Sequence, residues 1–437
     1  MSGFGFSGFG FGYSRPSPVF VDRTVTTPMR VAGVNERFAT DPNSNATRNE
    51  AVYYVPKWLG DDYKTLCVEF HAFLISVNSQ YNLGNSYTVL ELSLIAPNGQ
   101  QIALTYGGLT SWTVADGAAF QFTDVVWPDQ LGYSSSFPKG GKFILKAKIR
   151  VTSAGQKIPC HRFLRSYYGA GEAQVLWYNA GATTMSSANA PGLFTYTGTA
   201  PDTSQESMLA FSLCGNPIVD KYSKLVVGDS IIEKEQDFNP TDPRGIGYVS
   251  RACTDYNNGY ANPRPLFLIA ISGGDNRFLL SSNKINPYFG LAYTGIDPTG
   301  GNDFIQTGGN LTQVQNQVAA VWAKMRAGGV QRILRIKPFP ITQSTDSWKT
   351  EANQSFQAGY EAALTAFYNW IISKKNDGTI NYIAELPNIR AAGNQFKWNS
   401  DGVTAFLYTV EGTHPPTFGH IRASLNLRSD LLALEAL

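Results

Sequence analysis

Ser230 follows Gly228 and Asp229, and His414 follows Glu411, Gly412 and Thr413. A serine hydroxyl is a poor nucleophile until a base takes its proton, and an imidazole, titrating near neutral pH, suits that task. A carboxylate three residues before the histidine can hold the ring in one tautomer and stabilise the imidazolium. Between these stretches lie Gly273-Gly274-Asp275 and Gly300-Gly301-Asn302-Asp303. Attack on an ester carbonyl builds negative charge on its oxygen, and preorganised donors must meet that charge. The N–H of Ser230, the N–H of Gly274 and the side-chain amide of Asn302 are the candidates. Glycine suits the second place because its backbone adopts positive φ and comes close to a ligand. Each stretch alone has a plain reading: Ser230 as a helix N-cap, Asn302 as a turn residue. Asp229 and Asp303 read as carboxylates that brace their loops. Together, in this order, they supply the parts of acyl transfer from an ester.

The four blocks resemble those of the SGNH hydrolases, the GDSL family of esterases, lipases and carbohydrate deacetylases. The first reads Val226-Val227-Gly228-Asp229-Ser230-Ile231, the second Ala270-Ile271-Ser272-Gly273-Gly274-Asp275, the third Gly300-Gly301-Asn302-Asp303 and the last Glu411-Gly412-Thr413-His414-Pro415. The resemblance covers roughly residues 219 to 437. It implies catalytic Ser230, His414 and Glu411, an oxyanion hole of Ser230, Gly274 and Asn302, and neither a metal nor a cofactor. Two departures stand out. The acid is Glu411 where the family usually has Asp, which leaves a Ser–His dyad open. Pro298 lies just before the third block, where the family has strand, and it predicts a rearranged or lengthened loop ahead of Asn302.

The surrounding elements must place these blocks. Leu225-Val226-Val227 and Leu266 to Ile271 are apolar runs suited to buried parallel strands. Val314, Val318, Val321, Trp322 and Met325 fall at helical spacing, with Gly328-Gly329 as a stop. Phe356, Tyr360, Leu364, Phe367 and Ile371 mark a second helix. Ile333 to Ile336 and Ile380 to Ile383 read as strands between helices. Residues 218–437 are therefore expected to form a three-layer α/β domain with a mostly parallel sheet, like an SGNH hydrolase, whose site lies at the carboxyl ends of its strands. Residues 15–217 read as all-β. Tyr87 to Ile95 runs into the turn Pro97-Asn98-Gly99, and Phe143 to Val151 alternates apolar and basic residues. Such strands predict a sandwich of jelly-roll type.

Composition bounds the partners. Of 437 residues 16% are charged, the net charge is +2, and no long basic run exists, which argues against nucleic acid. No run of about 18 apolar residues predicts a membrane span, and no basic-then-apolar leader opens the sequence. The four cysteines, Cys67, Cys160, Cys214 and Cys253, are scattered and read as buried free thiols rather than a zinc site. Of the other histidines, His71 and His161 lie far upstream, and His420 reads as a surface or packing residue of a helix. Residues 1–14 carry a tandem repeat, Ser2-Gly3-Phe4-Gly5-Phe6 and Ser7-Gly8-Phe9-Gly10-Phe11, read as an attachment segment. It points to a homo-oligomer or larger assembly.

The sequence leads to a serine ester hydrolase, with acetyl groups on carbohydrate as the expected substrate and a virion as the expected location, cytoplasmic otherwise. In architecture the chain is similar to phage tail carbohydrate deacetylases. Two alternatives stay open. One is a structural or attachment protein of a virion with a weakly active or inactive hydrolase fold. The other is a cytosolic lipase or thioesterase.

Overall fold

The structure is a computed structural model, and it describes residues 23–164, 166, 168, 171–237 and 243–437. The Gly/Phe repeat lies outside the described residues.

Six parallel strands form one sheet: β1 (Glu36–Arg37), β2 (Lys224–Gly228), β3 (Leu266–Ala270), β4 (Thr294–Asp297), β5 (Arg332–Ile336) and β6 (Tyr382–Ala384), in the order β1-β3-β2-β4-β5-β6. β2 and β3 are buried along their whole length, as a parallel strand covered on both faces must be. Alternate residues part to opposite faces. Leu225 and Val227 join one core, and Val226 joins another. The helices divide accordingly. α1 (Ser230–Glu233), α2 (Tyr248–Thr254) and α8 (Thr417–Ala436) pack on the Val226 face. α3 (Asn276–Leu280), α4 (Asn286–Phe289), α5 (Gly301–Gln306), α6 (Leu311–Ala327) and α7 (Tyr360–Asn376) pack on the other. The buried residues of α6 are Val314, Val318, Val321, Trp322 and Met325, the stripe expected from the spacing. The second helix starts later than expected. Gly359, at φ 77°, is its N-cap, so Phe356 lies outside α7.

The first half is a set of antiparallel sheets. The largest joins Trp112–Val114, Tyr87–Ile95, Lys142–Arg150, Glu50–Trp58 and Gln174–Tyr178, with Gln101–Ala103 on its edge. Another joins Arg30–Val31, Ser212–Pro217, Tyr63–Phe70 and Gln121–Phe122. Their side chains continue into the core on the α6–α7 side of the parallel sheet, with no apolar gap between the halves.

The halves are not separable along the chain. β1 falls in the stretch read as all-β, yet Glu36 and Arg37 pair in parallel with Phe267 and Leu268. Two residues carry no hydrophobic period, so nothing in their pattern marks this strand. Burial fixes it there: Glu36 meets Lys57 of the antiparallel half in a buried ion pair. A hairpin of Phe73–Ile75 and Gln80–Asn82 reaches the same way. The Val77 carbonyl at its tip accepts from Asp275 N–H at 3.3 Å, and Gln80 Nε2 donates to the Phe278 carbonyl at 2.8 Å. All four cysteines are buried free thiols.

Candidate active site

Without its added edge strand, the parallel sheet has its first strand, β2, flanked on both sides by later ones, and the chain reverses direction across the sheet there. Open α/β sheets place ligands at the carboxyl end of such a point. Ser230 sits there, one residue past Asp229 at the end of β2. Asp229 caps α1 by accepting from Ile231 N–H at 3.0 Å, and burial holds its carboxyl above the ordinary range. This carboxylate braces the turn and leaves the Ser230 hydroxyl clear of it.

His414 arrives from the loop before α8. Its Nε2 lies 2.8 Å from Ser230 Oγ. Its Nδ1 faces Glu411 Oε1, which also accepts from the His414 backbone N–H at 3.0 Å. With the ring proton on Nδ1 toward the carboxylate, Nε2 is left to accept from the serine. The turn between the acid and the histidine is tight, with Gly412 at φ 89°. That turn is heavily held. The Gly412 carbonyl accepts from Trp398 Nε1 at 2.8 Å and from Thr342 N–H at 3.1 Å. Gly412 N–H donates to Thr409 Oγ1 at 2.9 Å. A β-carbon at Gly412 would fall 1.9 Å from the Thr342 carbonyl oxygen. Glycine is required there twice, by its φ and by the close approach of its neighbour.

Asn302 stands in the first turn of α5. Its Nδ2 donates to the Gly274 carbonyl at 2.9 Å, which uses one amide hydrogen and leaves the other. Asp303 ties the two loops together, accepting from Asn276 N–H at 3.0 Å and Gly300 N–H at 3.2 Å. Burial, with the nearby Asp275 and Asp297 carboxylates, lifts its carboxyl to about 6. The connection ahead of Asn302 is short. β4 ends at Asp297 and α5 begins at Gly301. Pro298 sits just past the strand end, where a missing N–H costs no ladder bond, so the lengthened loop expected there is not present.

Gly274 differs from expectation. Its N–H bonds to the Ile271 carbonyl at 2.9 Å. This closes a turn with Gly273 at φ 75°, the position at which such a turn needs glycine. The N–H expected at the oxyanion position is thus committed to the turn, and Gly274 serves the site through its carbonyl, which holds Asn302. Two donors remain: the second amide hydrogen of Asn302 and the Ser230 N–H, in a first turn where N–H groups lack helical partners.

Several supporting residues escaped the sequence reading. Arg335, fully buried on β5, pairs with Asp297 at 2.8 Å and donates to the Asp297 carbonyl at 3.1 Å. Asp297 also accepts from Trp322 Nε1 at 2.6 Å and from Thr299 N–H at 2.8 Å. This knot fixes the path from β4 into Asn302. A charged residue inside the apolar run Ile333-Leu334-Arg335-Ile336 was the available signal, since a buried charge must be paired. His420 is a packing residue. It is fully buried, accepts from Tyr248 N–H at 3.2 Å through Nδ1, and its Nε2 meets the Glu235 carbonyl at 3.1 Å.

A narrow pocket opens beside Ser230, lined by Ile231, Ile232, Pro298, Asn302, Phe339 and Ile341 among others. A hydroxyl on an imidazole, a carboxylate behind the ring and an amide nearby can attack an acyl carbon and hold the charge that develops on its oxygen. Among the described residues, no group of three or more His, Cys, Asp or Glu is placed to hold a metal ion, and no helix is long and apolar enough to cross a membrane.

No protein-family model matches the chain, and no curated protein matches it. Solved structures similar to it include a GDSL-like lipase from Bacteroides thetaiotaomicron, 14% identical with a TM-score of 0.34, over 48% of this chain and 88% of that one. A lipase from a goat rumen metagenome is 14% identical with a TM-score of 0.35, over 47% and 96%. A variant of an acetyl-xylooligosaccharide esterase from Geobacillus Stearmophilus is 13% identical with a TM-score of 0.34, over 49% and 95%. At such TM-scores the likeness decides nothing about the site, and its chemistry is read from the geometry above.

Proposed function

We propose that this protein is a serine ester hydrolase that removes small acyl groups, acetyl first among them, from carbohydrate. The observation that carries the reading is Ser230 Oγ at 2.8 Å from His414 Nε2, with Nδ1 of the same ring on Glu411. His414 takes the serine proton as Oγ attacks the ester carbonyl. The oxyanion forms against Asn302 and the Ser230 N–H. The imidazolium, held by Glu411, then protonates the leaving alcohol, and water repeats the sequence on the acyl-enzyme. The apolar residues around Ser230 suit a short acyl group, and the narrow pocket argues against the wide groove a long-chain lipase needs. The antiparallel half, read as a sandwich, would present polymer to the site. The Gly/Phe repeat would carry the enzyme on a larger assembly such as a virion. The test is acetate release from acetylated polysaccharides, set against acyl chain-length preference on aryl esters. A preference for long chains supports the lipase reading, and no turnover of either supports an attachment protein with a silent site.

A further inference from the structure

Beside the loop that carries Glu411 and His414, two surface segments are stitched together. Phe406 N–H donates to the Ser347 carbonyl at 2.9 Å, and Gly402 N–H to the Lys349 carbonyl at 2.9 Å. Trp348 and Phe406 meet across this seam with ring centroids 5.9 Å apart at 47°, forming a bent aromatic corner. Phe406 is 45% exposed. Of the ten non-glycine residues at positive φ among the described residues, three are here: Ser347 at 64°, Trp348 at 59° and Phe406 at 58°. For bulky residues that backbone is an outlier, and such strain persists only where the surroundings impose it, most often at functional sites. Asp346 ties together the residues on either side of Ser347 and Trp348. Its carboxylate accepts from Ser344 Oγ at 2.7 Å, Thr350 N–H at 3.0 Å and Asn353 Nδ2 at 2.9 Å. Trp348 Nε1 is anchored on Thr342 Oγ1 at 2.9 Å.

The corner also touches the site. A β-carbon on Gly412 would lie 2.8 Å from Trp348 Cζ2, so the indole packs against the turn between Glu411 and His414. Ile341, next to Thr342, lines the pocket beside Ser230. The leaving alcohol of the ester must lie near His414 Nε2, which protonates it. The group attached to that alcohol therefore lies near His414, and the indole of Trp348 packs on Gly412, two residues before that histidine. An aromatic face carries negative quadrupole density. The C–H face of a pyranose ring is its electropositive complement, while the sugar's hydroxyls reach outward to water and polar neighbours.

We propose that Trp348 and Phe406 set substrate specificity by stacking the sugar ring that bears, or neighbours, the ester cleaved at Ser230. This rests on the ester-hydrolase reading. The test uses the full chain and Phe406→Asn, which removes the ring but tolerates the left-handed backbone. Kinetics on acetylated xylo-oligosaccharides are compared with those on p-nitrophenyl acetate. The ratio of the two kcat/KM values should fall about tenfold, mainly through KM for the oligosaccharide, as for loss of one stacking contact. The thermal midpoint should hold or rise, because strain is released. Trp348→Phe, which keeps a ring against Gly412, should give a smaller fall in the same direction. An unchanged ratio overturns the proposal, as does a shift in acyl chain-length preference instead. Calorimetric binding of unacetylated xylo-oligosaccharides to Ser230→Ala separates the two readings. Aryl acetate turnover without oligosaccharide binding sinks the sugar corner and leaves the esterase. Binding that Phe406→Asn abolishes, in a protein that cleaves no ester, sinks the esterase and leaves the corner.

Discussion

The loop ending at His414 and the first turns of α8, which carry His420, are neighbours in sequence and opposites in environment. His414 is 23% exposed, lies on a serine hydroxyl and has a half-exposed carboxylate behind it. His420 is sealed between α8, α2 and the segment after α1, with one ring nitrogen on Tyr248 N–H and the other on the Glu235 carbonyl. Tyr248 N–H can only donate, so Nδ1 of His420 accepts and the proton sits on Nε2. Every ring atom of His420 that could do chemistry is thus spent on the fold. The same side chain is a candidate base in one place and a structural pin in the other. The difference lies in whether its partners leave a lone pair facing a reactant.

That contrast makes activity and stability separable, and the largest effect tests it most directly. Ser230→Ala should lower turnover by a factor on the order of 10⁵–10⁶ with no loss of thermal midpoint. A fluorophosphonate probe should label Ser230, and labelling elsewhere in the chain would refute the assignment. Glu411→Gln comes next, at about 10³–10⁴ in kcat, because the amide favours the wrong tautomer. A variant as active as the parent would mean that His414 and Ser230 work as a dyad.

Asn302→Ala should cost roughly 10²–10³ in kcat with a smaller change in KM, since the donor acts mainly in the transition state. The Gly274 N–H closes its own turn, so it does not stand in for the lost amide. An effect confined to KM would place Asn302 in ground-state binding.

His420 should show the reverse pattern. Burial holds both His420 and His161 below the ordinary histidine value. Below about pH 6.5 the unfolded chain takes up protons that the folded chain refuses. Stability should therefore fall with pH, by about 1.4 kcal/mol per unit for each histidine until the folded ring itself titrates. His420→Gln should cost about 1–3 kcal/mol and flatten that slope in urea titrations, while any ester turnover per folded molecule should hold. A variant that loses rate but no stability would erase the contrast between the two regions. The smallest effect is expected from deleting residues 2–11. Turnover on an aryl ester should stay nearly unchanged while oligomerisation or incorporation into a particle weakens. Full assembly of the truncated chain, seen by light scattering, would remove the attachment role.

That Ser230, Asn302, Glu411 and His414 would come together was legible, because each lies in a short block whose residue types suit one another. The α6 stripe was legible because burial there follows the helical period. What stayed hidden depends on neighbours distant in the chain. Gly274 reads as a donor until the turn that uses its N–H is seen. Arg335 looks out of place until Asp297 arrives beside it. His420 could be surface or core until α2 packs on it. The strand Glu36–Arg37 has too few residues to show any period at all.

That strand has a consequence for how the protein comes into being. Synthesis runs from the N-terminus, and domains tend to fold as they emerge. β1 is therefore made, and positioned by the Glu36–Lys57 pair, long before its partner β3 leaves the ribosome. The antiparallel half offers a nascent edge onto which the later strands can add. A half translated alone would keep that edge open, and unpaired edges invite the wrong neighbours. The enzyme-like half in turn depends for its outermost strand on a segment it does not encode nearby. Separating the two halves at residue 218 should therefore yield two aggregation-prone pieces.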